Sequence, residues 1–267
     1  MKRMKRQQHM KSIIRHRWSP ELKGLALRIW AICLFPAMVS CVPASDIPAV
    51  EEVDAGYPPV NVVGEMRNVM WKGELGSSID LDTLGERRGL YGLGPLTELK
   101  GELLVVDGTS YVSTVLADST PSVEKSYRVS APFFVYANVQ EWNDEELPTH
   151  VKSISDLEKH IDRKTKDFER PFAFKLTGTV SNAVYHIQNL PDGAKVSSPE
   201  EAHQGQVKYP LKNVEAIIVG FFSTEHQGVL THHDTFLHMH IITGDEKHMG
   251  HLDELQIDRM NLHLPVK

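Results

Sequence analysis

Eight of the 14 histidines in this sequence stand at or beyond His226, and the stretch FLHMHIITGDEKHMGH within that region has spacing that suits a metal ion. Successive side chains on a strand point to opposite faces, so His238 and His240 share one face while Met239 takes the other. Their Cα atoms then lie about 6 to 7 Å apart, close enough for both imidazoles to reach one ion. The loop ITGDEKHMG, with Gly244 and Gly250 as turn residues, can return a second strand that presents His251. Three neutral imidazoles that leave positions open to water or substrate describe a catalytic rather than a structural metal site. Such a donor set suits Zn2+, or another divalent transition metal, better than Mg2+ or Ca2+. An HxH pair also occurs in proteins without a metal, so spacing alone leaves the trio open. His226, His232, His233 and His248 read as surface or satisfied core histidines.

Two further residues are candidates for chemistry. Glu102 in LKGELLVV alternates onto the face of Leu104 and Val106, which carries its carboxylate into an apolar layer. There it must find a cation, a metal or hydrogen-bond donors, or take up a proton, and each outcome serves acid-base chemistry. The alternative is an edge-strand glutamate in water. Lys175 in PFAFKLTG lies on a strand with Phe172, Phe174 and Leu176, as a site cation or as a solvated strand lysine.

The elements that must position these residues are legible in outline. Val62, Val63, Met66, Val69 and Met70 have helical spacing over residues 61–70, ended by Gly73 and Gly76. Residues 91–114 alternate around Asp107-Gly108, a strong hairpin signal. Ser155 with Glu158 predicts a capping box for a helix over 155–168. Residues 171–179, 214–222 and 235–243 read as strands. Many strands with few helices indicate an α+β fold, with a domain boundary near 168.

The 267 residues, 41% of them hydrophobic, suffice for one large or two modest domains. Residues 1–41 carry nine Lys/Arg against the single acid Glu21, which leaves 20 basic and 34 acidic residues beyond, a net of −14. So acidic a body lacks the clustered cations that phosphate backbones require, which excludes a nucleic-acid partner. The basic start runs into the 12-residue apolar segment IWAICLFPAMVS, too short for a ~30 Å hydrocarbon core but suited to a signal h-region. MVSC, ending at Cys41, resembles a bacterial lipobox, and residues 42–60 are Pro-rich and acidic like a tether. The expectation is an exported chain, lipid-anchored through Cys41 or periplasmic; the alternative is a cytoplasmic one. No cysteine follows Cys41, so chemistry in the body falls to His, carboxylates, Lys or hydroxyls.

The segments YGLGPLTELKGELLVVDG, SISDLEKHIDRKTKDFERPFAFKLTGTV, VEAIIVGFFSTE, HMHI with GH ten residues further on, and DRMNLHLP together resemble the alpha-acetolactate decarboxylase family from about Asn61 to Pro265. The family pattern HLHF followed by GGH implies zinc ligands at His238, His240 and His251, and its GLGT...LDGE glutamate implies Glu102 beside the metal. Lys175 falls where the family has arginine in a segment like FYAIRIDG, and Pro95 falls on the threonine of GLGT. A second family glutamate lies in a tail past the LRLP-like segment, whereas this sequence ends at Lys267.

The resemblance implies two domains with mixed β-sheets and few helices, an N-terminal sheet domain over 61–168 and a C-terminal metal-binding sheet domain over 169–267. The metal would lie between them, in a chain that forms a homodimer. It also implies a carboxy-lyase that converts 2-acetolactate to acetoin and CO2 through a zinc-stabilised enediolate. Glu102 would orient the ligand and transfer the proton, and Lys175 would hold the substrate carboxylate or protonate the enediolate. The alternative is an exported, metal-holding family member that binds a small hydroxy-keto or diol ligand or runs a divergent lyase reaction.

If MVSC is a lipobox, one thiol carries the whole anchor. Cys41→Ser is expected to release the protein from membranes or leave an unprocessed precursor, read by fractionation and intact mass.

Overall fold

The computed structural model describes residues 56–231 and 235–267. The signal segment, most of the tether, His232 and His233 lie outside them. The described strands are Val60–Val63 (β1), Ile79–Asp80 (β2), Leu90–Pro95 (β3), Glu102–Val106 (β4), Thr109–Val115 (β5), Pro121–Lys125 (β6), Ser130–Ala131 (β7), Phe134–Asn138 (β8), Trp142–Glu146 (β9), Phe172–Ile187 (β10), Val207–Phe222 (β11), Leu237–Thr243 (β12) and Met249–Pro265 (β13). The α-helices are Met66–Lys72 (α1), Ile154–Lys164 (α2) and Pro199–Ala202 (α3). No described helix is long and apolar enough to cross a membrane.

A first sheet has the order β1-β8-β3-β4-β5-β6, and a second has β10-β11-β12-β13-β9. The fold is α+β with few helices, as expected, but every ladder between named strands is antiparallel, so the expected mixed sheets are corrected. Most strands follow one another through turns too short for a parallel crossover. β9 precedes α2 in sequence and joins the second sheet through β13.

β10 pairs with both β11 and β13, so four strands of the second sheet close on themselves. Closure requires stagger. One row of directly opposed residues runs Lys175, Val219, His240, His251, His186, and thus returns to β10 eleven residues from where it left. Directly opposed residues share a face. Residues of the alternate face, including Phe174, Leu176, Ile218, Met239, Ile241 and Leu252, form the core inside this closed sheet. A second core, with Tyr91, Leu93, Leu104 and Val135 from the first sheet, Phe133 just ahead of β8, and Val219, Phe221 and Ile242 from the second sheet, joins the two sheets. Leu103 and Val105 turn to a third cluster on the far face of the first sheet.

Local chemistry explains where elements begin. Asp107 and Gly108 both take positive φ, 45° and 75°, and Val106 faces Thr109, the hairpin predicted for this pair. The helical spacing over 61–70 was only half decisive: residues through Val63 pair with β8, and the helix starts at Met66 after Gly64. Gly64 takes φ +72°, and a Cβ there would sit 2.3 Å from the Pro132 carbonyl oxygen. The α2 cap is Ser153 with Asp156, not Ser155 with Glu158: Ser153 Oγ accepts from the Asp156 N–H, and Asp156 accepts from the Ser153 N–H. Glu158 instead accepts from Thr235 Oγ1 at 2.7 Å and from the Phe236 N–H at 2.8 Å, just ahead of β12. Ser153→Ala is expected to lower stability by about 1 kcal/mol, the usual worth of such a cap, read from chemical denaturation.

Candidate metal centre

His238 and His240 project from one face of β12, and the pairing of His240 with His251 sets the third ring beside them. Ring centroids lie 5.1 to 5.4 Å apart. One nitrogen from each can be taken so that all lie within 4.8 Å of one another. His238 and His240 are buried and His251 partly so. Nδ1 of His238 is 2.8 Å from the Leu230 carbonyl oxygen, an acceptor that fixes hydrogen on Nδ1 and leaves Nε2 as the ligand nitrogen. Phe133 stacks on the same ring at 5.8 Å between centroids. Three converging imidazoles, one oriented by a carbonyl, fit a divalent transition metal. Among the other histidines, His226 meets Ser223 Oγ and His248 meets the Tyr185 hydroxyl, so both are satisfied structurally.

Glu102 opens β4 opposite this trio and is 2% exposed. Its Oε2 stands 3.7 Å from His240 Nε2, and its Oε1 accepts from the Gln188 N–H at 3.2 Å. Burial pushes its carboxyl well above the usual carboxylate range; the Gln188 N–H opposes this and the charge of Asp253 reinforces it. His186 enters beside it. Its Nε2 is 3.9 Å from Glu102 Oε1, its Nδ1 is 2.7 Å from Asp253 Oδ1, and its ring stacks on His251 at 4.7 Å. The cavity over these groups is lined by Met66, Val69 and Met70 of α1 and by Leu99 and Phe133.

The family profile for alpha-acetolactate decarboxylase matches residues 65–266. The chain belongs to this family. It is 28% identical over 242 residues to an alpha-acetolactate decarboxylase of Brevibacillus brevis, covering 88% of this chain and 81% of that one. Against an alpha-acetolactate decarboxylase of Lactococcus lactis subsp. cremoris the identity is 25% over 207 residues, 74% and 78% of the two chains. Among solved structures, the alpha-acetolactate decarboxylase of Bacillus subtilis strain 168 superposes with a TM-score of 0.65 at 20% identity, over 78% of this chain and 85% of that one. A Staphylococcus aureus protein of unknown function similar to alpha-acetolactate decarboxylase gives 0.64 at 18%, over 76% and 84%. These two structures share the fold. The named relatives of the family are carboxy-lyases.

Of the residues that the resemblance to alpha-acetolactate decarboxylases singled out, His238, His240, His251 and Glu102 meet at this centre. Lys175 does not. Val219 separates it from His240 in the cross-strand row, two strand spacings or about 9.6 Å between Cα atoms. Its ammonium stands over the rings of Trp142 at 5.0 Å and Tyr91 at 5.5 Å. Burial lowers its pKa, with the charges of Asp144 and Asp107 opposing. His186, Gln188 and Asp253 were missed, because the strand predicted to end at Thr179 continues through Ile187. Alternation carried past Gly178 would have put His186 and Gln188 on the core face of Phe174 and Leu176; the inward face changes parity between Val180 and Ala183, which turns them to the site.

His240→Ala is expected to lose the metal while keeping most of the fold, measured by metal analysis and circular dichroism; full occupancy would sink the ligand assignment. Lys175→Met is expected to retain the metal and to cost about 1 kcal/mol of stability or less, the scale of a cation on an aromatic face, measured by denaturation.

Proposed function

We propose that this protein decarboxylates 2-acetolactate (2-hydroxy-2-methyl-3-oxobutanoate) to acetoin and CO2, with Zn2+ or another divalent transition metal held by His238, His240 and His251. The observation that carries this reading is a buried carboxyl, Glu102, 3.7 Å from a nitrogen of the histidine trio in a chain that matches the family over residues 65–266. When bound, the ion supplies Lewis acidity toward substrate oxygens, where charge develops as CO2 leaves.

In this reaction the C1–C2 electron pair stays with the remaining fragment, conjugated with the C3 carbonyl, and C2 then takes a proton. One proton is consumed per turnover. Glu102 is placed to deliver it, with Oε2 3.7 Å from His240 Nε2; burial favours its protonated form, and the charge of a bound ion would oppose that. The Gln188 N–H on Oε1 holds the group in one orientation. Met66, Val69, Met70 and Leu99 shield the site from bulk water, which strengthens each polar contact within it. On the same reading the chain works outside the cytoplasm, carried there by its basic and apolar start.

Purified metal-loaded protein given racemic acetolactate is expected to form acetoin, and a chelator to abolish it. Glu102→Gln is expected to lower kcat by about 10²- to 10⁴-fold, the range for a lost general acid. Retained metal content in that variant separates proton transfer from metal binding. Binding of a hydroxy-keto acid without acetoin release would favour the alternative, a ligand-binding family member.

A further inference from the structure

A chain of polar groups runs from the surface into the metal cavity and ends on an amide oxygen. Lys208 Nζ, on a half-exposed side chain, lies 3.1 Å from Asp253 Oδ2. Asp253 Oδ1 is 2.7 Å from Nδ1 of His186. Nε2 of that ring is 3.5 Å from Nε2 of Gln188. Gln188 is 4% exposed and lines the cavity with Glu102, His238 and His251. Its Oε1 is buried and has no hydrogen-bond partner among the described residues. The first link depends on an irregularity in β13: Tyr185 pairs with Leu252 and Val184 with Glu254, so Asp253 is the extra residue of a bulge. Bulges re-aim side chains, and this one sets Asp253 against His186.

The direction of each hydrogen bond follows from the first. A carboxylate only accepts, so Asp253 takes the N–H at Nδ1. In the neutral ring Nε2 is then an acceptor. Gln188 must present its NH2 to that nitrogen, which leaves Oε1 for a donor in the cavity. An amide that could face either way is thereby locked by residues on two other strands, β11 and β13.

We infer that Gln188 is a specificity-determining residue whose Oε1 accepts the hydroxyl hydrogen of a 2-hydroxy acid bound in the metal cavity. The choice of a hydroxy acid rests on the function proposed above; the polarity of the chain does not. A ligand without that hydrogen leaves a buried acceptor unsatisfied, which a site built for a hydroxyl rejects.

The test uses two probes that cannot decarboxylate by this route, 2-hydroxy-2-methylbutanoate and 2-methoxy-2-methylbutanoate, titrated calorimetrically into zinc-loaded protein. The hydroxy acid is expected to bind about 10-fold more tightly or better, the scale of one buried unsatisfied acceptor. Gln188→Met is expected to erase that preference. In Asp253→Asn, the amide oxygen stays with Lys208 and the NH2 turns to His186 Nδ1, so Nε2 gains the hydrogen and Gln188 turns over. The preference is then expected to shift toward the methoxy acid, and the 15N resonances of His186 to move from the Nδ1–H to the Nε2–H pattern, a readout independent of activity. Equal affinities in the unmutated protein would overturn the proposal. So would a preference that survives Gln188→Met, or an unmutated His186 with hydrogen on Nε2. The expected preference in a protein that forms no acetoin would count against the decarboxylase reading and leave this inference standing.

Discussion

Closure of four antiparallel strands on one another is the constraint on which the rest of this structure depends. A sheet can close only with stagger, and stagger decides which distant residues become neighbours. Here one circuit through β10, β11, β12 and β13 starts at Lys175 and ends at His186 on the same strand. Both residues therefore occupy the row of His240 and His251, one on each side. His186 adjoins His251 directly, while Lys175 stands beyond Val219. The same stagger points the three metal-site histidines outward from the closed sheet, toward the first sheet, and leaves Met239, Ile241 and Leu252 to fill its interior.

Packing between the two sheets then creates an unusual electrostatic environment at Glu102. The layer that joins them is built from residues such as Leu93, Leu104, Val135, Val219 and Phe221. A carboxyl at the end of such a layer loses its hydration and must be compensated. Among the described residues its compensation comes from the end of β10 and from β12: the Gln188 N–H just past β10, with His186 and His240 within 3.9 Å. The two sheets are thus coupled through chemistry as well as through apolar contact. A displacement of one against the other would move the proton-carrying group relative to the metal ligands, so the apolar layer also sets the precision of the site.

Polar order extends outward from that point with a defined sense. Lys208, Asp253 and His186 form a line that is half exposed at one end and buried at the other. Pairing of an acceptor-only carboxylate with one ring nitrogen assigns the role of the other nitrogen. The bulge at Asp253 makes this line possible, since a regular β13 would have paired that residue with Tyr185, on the face opposite to that of His186.

The sequence by itself placed His238, His240 and His251 on one face, because an HxH pair and a ten-residue return are short-range features that strand alternation and one hairpin convert directly into geometry; their choice as ligands came from the family motif. It likewise determined the Asp107-Gly108 turn, whose positive φ values few other pairs adopt, and put Glu102 on the face of Leu104; that this face is buried rather than an edge in water was decided by the packing of the two sheets. The count of strand and helix signals gave the α+β class, and family motifs added the expected two-domain arrangement around a metal. Cap choice at α2 was misread because Ser153 and Ser155 both fit a capping pattern, and only tertiary contacts from Thr235 and Phe236 claim Glu158. Lys175 was placed at the site for its charge and its motif position, yet strand order puts Val219 between it and His240. His186, Gln188 and Asp253 were invisible because their meeting depends on the stagger of a closed sheet and on one bulge, and neither leaves a local periodicity. Pairings between residues nearly 70 positions apart, such as His186 with Asp253, are decided by how the whole sheet closes, so only the tertiary structure could supply them.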